Sequence, residues 1–389
     1  MNFFLRRAAC ALVALLCFAF PARAQTADQV EPERVELPSA LPSGDARNDR
    51  IVLAVFRPRG VAPDQRVPAV IVLPYLGAPA PAPEFRRLAR EFAGRGVFAV
   101  VMTLPFHGDR AVGDAPVKHY VSNDVPRVVT AWNQAASDVS TVVTWLQSQP
   151  NVDTTRIAGA GVSLGALVLH LSMGRDTRLG AGVALLGGGD LPLIFRQSLL
   201  TRIRLRGRAG GLSDEEVALL RTVDPLSVAA FNRPRRVLMV QGARDFIIPP
   251  ASGERLWRAL GRPPIIWIPT NHLGPQFFQA RVRRATYEFL QSAWRGDEPL
   301  RAPKLSIPTF KVGFLTGLDS KITPALTFEA LTLGHGFHHL PLVGFNVGLS
   351  GRGPFAGVAT SLTPSIDVGL ARRFAGKKFR PYGSFHVAF

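Results

Sequence analysis

Three residues, Ser163, Asp245 and His272, have the types and the order along the chain that nucleophilic attack on a carbonyl group requires. Ser163 stands in the pattern Gly161-x-Ser163-x-Gly165, which suits an abrupt turn from a strand into a helix. A serine on so tight a turn crowds its neighbours, so the residues two before and two after it must lack a Cβ atom. Such a turn exposes the serine hydroxyl, and the pattern therefore predicts a nucleophile at Ser163.

The five-residue pattern alone is weak evidence in a chain with 36 glycines, because it also fits a serine that merely ends a strand. Two later turns supply chemical partners for it. Asp245 follows a buried strand in a Gly-x-x-Asp-x-x-x-Pro turn, and His272 follows the next strand in a His-x-Gly turn. In this interpretation His272 removes the Ser163 proton and returns it to the leaving group, while Asp245 orients and stabilises the imidazole.

The acid has one alternative and the base has none. Asp190, just after the preceding predicted strand, competes with Asp245 for the role of the acid. Only His272 follows the acid at the end of the next strand. The remaining histidines lie before or beside the nucleophile, or in the different sequence of the C-terminal segment: His107, His119, His170, His335, His338, His339 and His386.

The elements that must carry these residues alternate between strands and helices. Apolar runs predict buried strands, and apolar residues at helical spacing predict the helices between them. This alternation predicts an α/β fold with a mainly parallel sheet, helices on both faces, and ligands at the carboxyl ends of the strands. The predicted strands cover 50–56, 66–73, 97–103, the start of 156–170, 180–186, 236–241 and 265–268, and the predicted helices cover 83–95, 124–149, the part of 156–170 after Ser163, 252–260 and 277–294.

With these motifs at strand ends and in the order Ser, Asp, His, the chain over residues 50–293 resembles the α/β-hydrolase family, most closely its dienelactone-hydrolase and peptidase-like esterase branches. The resemblance implies a Ser163–His272–Asp245 triad that needs no cofactor and no metal. The segment 187–232 interrupts the alternation with helical pieces and an arginine run, and we expect it to form a helical cap over the site.

The resemblance also implies an oxyanion hole, a pair of donors that stabilise negative charge on the reacting carbonyl oxygen. One donor would be the N–H of Leu164 at the start of the elbow helix. The other would come from the loop after the second predicted strand, from the backbone of Tyr75 or Leu76 or from the Tyr75 hydroxyl. Many members of the family have His-Gly where this chain has Pro74-Tyr75, so the choice stays open. The loop around His107 also resembles a loop of the family, and we expect His107 to be structural.

The N-terminus has the three parts of a secretory signal peptide. Two arginines form a basic start, about 13 apolar residues follow, and an Ala-Arg-Ala cleavage site ends at Ala24. Because a helix that spans a bilayer needs about 20 apolar residues, a membrane anchor fits less well. We expect residues 1–24 to be removed and the protein to be exported, to the periplasm or outer membrane of a bacterium or, alternatively, to the extracellular space.

Cysteine and charge usage narrow the function further. The only cysteines, Cys10 and Cys17, fall inside the predicted signal peptide, which excludes a thiol nucleophile, a disulfide scaffold and a cysteine-ligated metal in the mature chain. Removal of three signal-peptide arginines lowers the formal net charge from +18 to +15. So basic an exported protein is expected to be drawn to anionic surfaces such as lipid headgroups or polyanionic glycans. No nucleic-acid-binding motif is present, and we expect no nucleic-acid partner.

The sequence changes character near residue 301. Residues 301–389 are rich in Phe, Val, Thr and Gly and alternate with period two, which predicts an all-β module. The alternating Phe385, Val387 and Phe389 at the end resemble the C-terminal strand of bacterial outer-membrane proteins; a small soluble β-domain is the alternative. A closed sheet of eight strands needs about 80 strand residues plus seven turns, more than this segment holds. We therefore expect a sheet that packs on the hydrolase or is completed by strands of other chains.

These features predict an exported serine hydrolase with a signal peptide over 1–24, a catalytic domain over 25–300 and a β-module over 301–389. It would cleave small-molecule carboxylic esters through an acyl-enzyme intermediate, and the β-module would place it at a membrane or another anionic envelope surface. Two alternatives stay open. The same triad would also serve a peptidase or an acyltransferase that excludes water, or the hydrolase fold would be the scaffold of an outer-membrane or envelope-binding protein.

Overall fold

Short apolar runs form a central sheet of eight strands, ordered β1-β2-β4-β3-β5-β6-β7-β8 in the computed structural model. Their bounds are β1 (Glu33–Pro38), β2 (Arg50–Phe56), β3 (Val67–Leu73), β4 (Phe98–Met102), β5 (Val152–Val162), β6 (Leu179–Leu185), β7 (Arg236–Gly242) and β8 (Ile265–Ile268). Strands β2 and β4 are antiparallel, whereas β4, β3, β5, β6, β7 and β8 run parallel to one another. The sheet is therefore mostly parallel, as predicted.

The structure describes residues 31–389 apart from several short gaps. The predicted signal peptide, residues 1–24, lies outside the described residues. The gaps are 63, 80–81, 205–210, 234, 269, 274–278, 304–308, 318–321, 334–339, 351–352, 364–365, 374–378 and 386–389.

Helices connect the strands, as the alternating pattern predicts. Within the described ranges none of these helices combines the length and the apolar character needed to cross a membrane. Their bounds are α1 (Pro83–Ala93), α2 (Val117–Tyr120), α3 (Val125–Gln147), α4 (Leu164–Arg175), α5 (Leu191–Gln197), α6 (Leu199–Arg204), α7 (Asp214–Arg221), α8 (Pro250–Ala259) and α9 (Gln279–Arg295).

The sheet is covered on both faces, because alternate residues of each strand point to opposite sides. In β3, Ile71 and Leu73 pack into a core with residues of α3, α4 and α8. Their neighbours Val70 and Val72 pack into a second core with residues of α1 and α9. This two-sided burial is what the nearly continuous apolar sequence of the strand predicts.

The longest of these helices, α3, begins and packs as its sequence dictates. The side chain of Asp124 caps its first turn by accepting a hydrogen bond from the Arg127 N–H, and a proline occupies the first turn. Its apolar residues recur at helical spacing and are buried against the sheet. Because α3 contacts α4, it supports the helix that follows the elbow serine.

One strand of the sheet, β1, was not expected from the sequence, which predicts only a polar start before residue 50. In β1 only Val35 and Leu37 are half-buried apolar residues, and charged residues alternate with them. A short, charged strand of this kind is typical of a sheet edge, where one side of the strand faces water. Its apolar signal is too weak to be distinguished from a loop.

The predicted cap segment 187–232 contains helices α5, α6 and α7. The Asp190 side chain caps α5 by accepting a hydrogen bond from the Leu193 N–H. Ser213 and Glu216 form a capping box at the start of α7. The N–H of Leu199, at the start of α6, donates to the carbonyl of Phe246 over 2.8 Å. This bond ties the segment to the loop that carries Asp245.

The C-terminal strands form a second, antiparallel sheet. Each strand pairs with its neighbour along the chain, and β14 also pairs with β9, so the sheet closes on itself. The expectation that this sheet would not close within one chain is wrong, because six strands rather than eight complete it. The strands are β9 (Thr309–Gly317), β10 (Ile322–Leu333), β11 (Leu340–Ser350), β12 (Gly353–Thr363), β13 (Ile366–Arg373) and β14 (Phe379–Phe385).

Candidate active site

Ser163 lies between β5 and α4 in a strained backbone conformation. Its φ of 53° and ψ of −115° belong to a region that residues with a side chain rarely adopt. The strain is held in place by hydrogen bonds: its N–H donates to the Leu185 carbonyl over 2.8 Å, and its carbonyl accepts from the N–H groups of Ala166 and Leu167. Neighbouring structure thus fixes the conformation, as is common at functional sites.

The two glycines of the pattern are required by close backbone packing. A Cβ atom on Gly161 would lie 2.3 Å from the carbonyl oxygen of Gly165. A Cβ atom on Gly165 would lie 2.1 Å from the carbonyl oxygen of Leu73 and 2.6 Å from that of Pro74. The start of α4 therefore lies directly against the end of β3 and the loop that follows it.

Ser163, His272 and Asp245 form one hydrogen-bonded series. The distance from Ser163 Oγ to His272 Nε2 is 2.9 Å, and the distance from His272 Nδ1 to Asp245 Oδ2 is 2.6 Å. The Ser163 and Asp245 residues are 8% and 5% exposed, and the His272 side chain is 11% exposed. Only a small part of the series therefore faces solvent.

Backbone donors fix the carboxylate of Asp245. Its Oδ1 atom accepts hydrogen bonds from the N–H groups of Ile247 and Ile248, each 2.8 Å long. The other oxygen, Oδ2, remains for the imidazole. A carboxylate can only accept here, so His272 carries its proton on Nδ1 and leaves Nε2 free to accept the Ser163 hydroxyl proton.

The loops that carry the acid and the base are tied together. The Ala243 N–H donates to the Ile268 carbonyl over 2.8 Å, and the Arg244 N–H donates to the Thr270 carbonyl over 3.0 Å. These bonds extend the pairing of β7 with β8 beyond the strand ends. Neighbouring parallel strands thus bring Asp245 and His272 to the same edge of the sheet.

Asp190, the alternative acid, has other partners. Its carboxylate caps α5 through the Leu193 N–H and forms an ion pair with Arg255. Its own N–H donates to the buried carboxylate of Asp224. The structure therefore assigns Asp190 to the start of the cap segment and brings Asp245 to His272.

The predicted oxyanion-hole residues lie on either side of the contact between α4 and the loop after β3. Leu164 is the first residue of α4, where N–H groups and the positive end of the helix dipole favour negative charge. On the other side, the carbonyl of Tyr75 accepts from the Ala78 N–H and closes a turn that contains Leu76. The backbone N–H groups of Leu164 and of Tyr75 or Leu76 remain the predicted donors.

The Tyr75 hydroxyl has a partner that the sequence did not predict. It donates a 2.6 Å hydrogen bond to Oε1 of Glu84, in the first turn of α1, and its ring packs against Phe85. A hydroxyl has one proton to donate, so this bond competes directly with donation to an oxyanion. Glu84 belongs to no motif and lies in the first turn of an ordinary amphipathic helix. No sequence signal identifies it as a neighbour of the site.

His107 lies outside the series. Its Nδ1 atom is 2.8 Å from the carbonyl oxygen of Pro105, and the residue is 2% exposed. Burial lowers the pKa of His107 from 6.5 to about 4, so its imidazole is neutral at physiological pH. In the ranges that the structure describes, no group of three or more His, Cys, Asp or Glu side chains is placed to hold a metal ion.

The sequence matches the prolyl oligopeptidase family, whose profile covers residues 131–265. The matched region includes Ser163 and Asp245 but ends before His272. Two uncharacterised proteins from two strains of Mycobacterium tuberculosis are each 29% identical to the chain over 220 residues, or 54% of this chain and 49% of the relative. The chain thus spans about half the length of these curated relatives.

Solved structures are similar in fold. The acylaminoacyl peptidase of Pyrococcus horikoshii aligns with a TM-score of 0.54 and 13% identity, over 69% of this chain and 42% of that one. A puromycin-hydrolyzing peptidase of M. tuberculosis aligns with a TM-score of 0.52 and 19% identity, over 67% and 39%. Est1E from Butyrivibrio proteoclasticus, bound to ferulic acid, aligns with a TM-score of 0.50 and 16% identity, over 63% and 96%. The chain has an α/β-hydrolase-like fold, and together with the family match this supports a serine hydrolase.

Proposed function

We propose that this protein is a serine hydrolase that cleaves carboxylic esters through an acyl-enzyme intermediate on Ser163. One observation carries the proposal: a serine on a strained elbow is hydrogen-bonded to His272, which is bonded in turn to an Asp245 carboxylate fixed by two backbone donors. Nothing in the packing of a parallel sheet requires these three residue types at three strand ends. Acyl transfer by a serine triad uses all three.

In the first half of the reaction, Ser163 Oγ attacks the ester carbonyl carbon while His272 Nε2 takes the hydroxyl proton. The carbonyl oxygen becomes an oxyanion, which the N–H of Leu164 and a donor from Tyr75 or Leu76 stabilise. When the carbon–oxygen bond to the alcohol breaks, the imidazolium returns its proton to the leaving oxygen. In the second half, water attacks the acyl-enzyme by the same route and releases the acid and free Ser163.

Exposed apolar side chains beside the triad loops support an ester with an apolar group. Leu273, next to the base, is 39% exposed. In α6, Leu199 and Ile203 are 42% and 50% exposed, and α6 is bonded through the Leu199 N–H to Phe246, next to the acid. Apolar surface at the rim of a site favours an acyl or alcohol group that gains from leaving water.

A peptidase is the second candidate, and the match of residues 131–265 to the prolyl oligopeptidase family favours it. Both candidates use the same nucleophile. They differ in the leaving group, because an amine must be protonated before it departs and an alkoxide is the better leaving group. A panel of matched ester and amide substrates with the same acyl group separates the two.

The test of the proposal is labelling with a fluorophosphonate, which reacts only with an activated serine. We expect the wild-type protein to be labelled at Ser163 and the Ser163→Ala variant to lose labelling. Its esterase rate should fall by several orders of magnitude, as for other triads. Labelling at another serine would reject Ser163. A folded wild-type protein without labelling or turnover would favour a binding protein that uses the hydrolase fold as a scaffold.

We further propose that the protein is exported and acts at an anionic envelope surface, in the periplasm, at the outer membrane or outside the cell. The signal-like N-terminus and the net charge of +15 that remains after removal of residues 1–24 support this location. A cleft of about 300 Å³ adds local support, since four arginines line it: Arg59, Arg66, Arg95 and Arg156. Residues 301–389, with their resemblance to outer-membrane strands, are the segment proposed to contact a membrane. Fractionation of the full-length protein tests this, because insertion resists high salt and charge attraction does not.

A further inference from the structure

A small cavity lies beneath the loop that carries the predicted oxyanion donor. Its volume is about 10 Å³, which is close to the space that one water molecule needs. On one side it is lined by Pro74, Ala78 and Pro79, which flank the turn closed by the bond from the Ala78 N–H to the Tyr75 carbonyl. On the other side are residues 101–104 of β4 and the following loop, together with His107.

His107, which lines this cavity, has an unpaired acceptor. The Pro105 carbonyl can only accept, so the 2.8 Å contact from His107 Nδ1 places the imidazole proton on Nδ1. In the neutral ring, Nε2 then carries a lone pair and no proton. This Nε2 atom is buried and has no hydrogen-bond partner among the described residues. A buried acceptor without a donor is costly, and such groups are usually satisfied by ordered water.

Water suits the polar groups of this cavity wall, which include the Thr103 hydroxyl, because water can both donate and accept. Pro74 and Pro79 have no N–H groups and offer only carbonyl oxygens, which are acceptors. His107 Nε2 is an acceptor as well, so it cannot bond directly to them. A water molecule can donate one proton to the imidazole and the other to a carbonyl of the loop, and so join the two.

The segment that carries His107 is held by buried polar contacts of its neighbours. The preceding residue, Phe106, has a left-handed φ of 64°, and its N–H donates to Asn48 Oδ1 over 2.8 Å. Arg110 donates to the carbonyls of Asn48 and Thr103, and its guanidinium lies 2.7 Å from the Asp138 carboxylate. Burial raises the pKa of Asp138, and the charge of Arg110 opposes that rise. The imidazole therefore provides a fixed support.

We propose that His107 is a positioning residue for the oxyanion hole: its Nε2 accepts a hydrogen bond from a single water in this cavity, and that water supports the turn from Tyr75 to Ala78. The inference rests on the proposed function, because it concerns the donor that this turn supplies. Oxyanion donors stabilise the transition state more than the bound ester. Loss of the support therefore lowers kcat and leaves KM nearly unchanged.

Two substitutions at position 107 separate the two ring nitrogens. The amide of Asn lies where Nδ1 lies, so His107→Asn keeps a donor for Pro105 and loses the acceptor in the cavity. The amide of Gln reaches as far as Nε2, so His107→Gln keeps the acceptor and loses the bond to Pro105. Each variant loses one hydrogen bond, which makes them matched controls for stability.

We expect the kcat of His107→Gln to stay within about threefold of the wild-type value. The kcat of His107→Asn should fall about tenfold. This fall is smaller than the 10²–10³-fold loss of kcat that follows removal of an oxyanion donor itself. His107→Asn should also weaken binding of a trifluoromethyl ketone, whose adduct with Ser163 carries an oxyanion, by a similar factor. Equal kcat values for the two variants, or a greater loss in His107→Gln, would overturn the proposal and indicate that only the Pro105 bond matters.

A second pair of variants keeps the test valid if position 107 does not tolerate change. Val101→Ile adds a methylene to a residue that lines the cavity and fills the space for the water. Val100→Ile adds the same group to the neighbouring strand position, which does not line the cavity. We expect kcat to fall only in Val101→Ile, and unchanged kcat in that variant contradicts the proposal. Fluorophosphonate labelling of the wild-type protein is a separate control for the proposed function. A wild-type protein that is not labelled would reject the proposed function itself, whatever the variants do.

Discussion

At the scale of single residues, the two candidate acids, Asp245 and Asp190, differ in their hydrogen-bond partners. Both carboxylates follow parallel strands of the sheet, and both accept hydrogen bonds from backbone N–H groups. Only Asp245 directs its second oxygen to an imidazole, whereas the second oxygen of Asp190 pairs with Arg255. Asp245 is therefore the acid of the proposed triad, and Asp190 starts a helix.

We expect Asp245→Asn to lower kcat by about 10⁴-fold, because an amide stabilises the wrong tautomer of the base and cannot stabilise the imidazolium. Asp190→Asn should keep most of the activity, since Asn is also a good helix cap. The measurement is ester hydrolysis by both purified variants, with thermal unfolding to show that each is folded. The reverse ranking would move the acid to Asp190.

His170 makes stability depend on pH. It is fully buried in α4, and neither ring nitrogen has a hydrogen-bond partner among the described residues. Burial lowers the pKa of His170 from 6.5 to about 4. Between these two values the unfolded chain binds a proton that the folded protein does not bind. The free energy of unfolding therefore falls as the pH falls from about 6.5 to about 4.

The change that tests this is His170→Leu, which has a similar volume and no ionisable group. We expect the variant to lose less stability on acidification, by about 3 kcal/mol for a shift of this size. Part of the acid sensitivity should remain, because burial also lowers the pKa of His107 to about 4. Urea unfolding at pH 7.5 and pH 4 measures the difference. Equal pH dependence in the two proteins would show that His170 is not the cause.

At the scale of elements, the contact between α4 and the end of β3 sets the position of the predicted oxyanion donors. Gly165→Ala would place a Cβ atom 2.1 Å from the Leu73 carbonyl oxygen, so the helix and the loop would have to move apart. We expect the variant to lose about 1–3 kcal/mol of stability through overpacking and to lose activity as well. Gly180→Ala is the control, because its Cβ atom would meet nothing closer than 3.8 Å. Calorimetry measures the stability of both variants, and ester turnover measures their activity. Equal stability and equal activity of the two variants would contradict this expectation.

The pattern of elements was largely predictable, because the strands buried on both faces have short apolar runs bounded by turn residues, and most helices have apolar residues at helical spacing. The predicted strands 50–56 and 265–268 have the observed bounds. Most other elements differ by one or two residues, as at α3, predicted over 124–149 and observed over Val125–Gln147. The order of Ser163, Asp245 and His272 at the strand ends then follows from the parallel topology.

What could not be predicted depends on partners distant in sequence. The bond from the Tyr75 hydroxyl to Glu84 needs α1 to pack beside the loop after β3. The bond from the Phe106 N–H to Asn48 joins residues 58 positions apart. Neither residue pair has a motif, since each contact uses common side chains whose role is set only by the tertiary fold. The neighbours of the candidate site residues were therefore less predictable from the sequence than the juxtaposition of Ser163, His272 and Asp245.

At the scale of the whole molecule, the excess of positive charge should govern where the protein binds. Neutral vesicles should bind little of the protein. Vesicles with anionic lipid should bind it at low salt and release it as the salt concentration rises. The reason is that interactions between exposed charges are screened beyond about 8 Å at physiological ionic strength. The double variant Arg66→Gln/Arg95→Gln removes two of the arginines that line the cleft. Its binding should fall more than that of a control that loses two exposed arginines elsewhere, Arg87→Gln/Arg221→Gln. Equal losses would mean that total charge, not the cleft, is responsible.

The helix behind the nucleophile has a consequence for local motion. In α4 the residues from Leu164 to Met173 are all buried, so no side of the helix faces water there. A helix enclosed in this way cannot fray or open by itself, because each local opening would expose core residues of the sheet and of α3. Its amide hydrogens should exchange with deuterium only when the whole catalytic fold unfolds, and hydrogen exchange measured by mass spectrometry should find this peptide among the slowest. Faster exchange there than in α7, whose buried residue is Leu220, would contradict this expectation. The backbone that holds Ser163 thus keeps its geometry for as long as the protein stays folded.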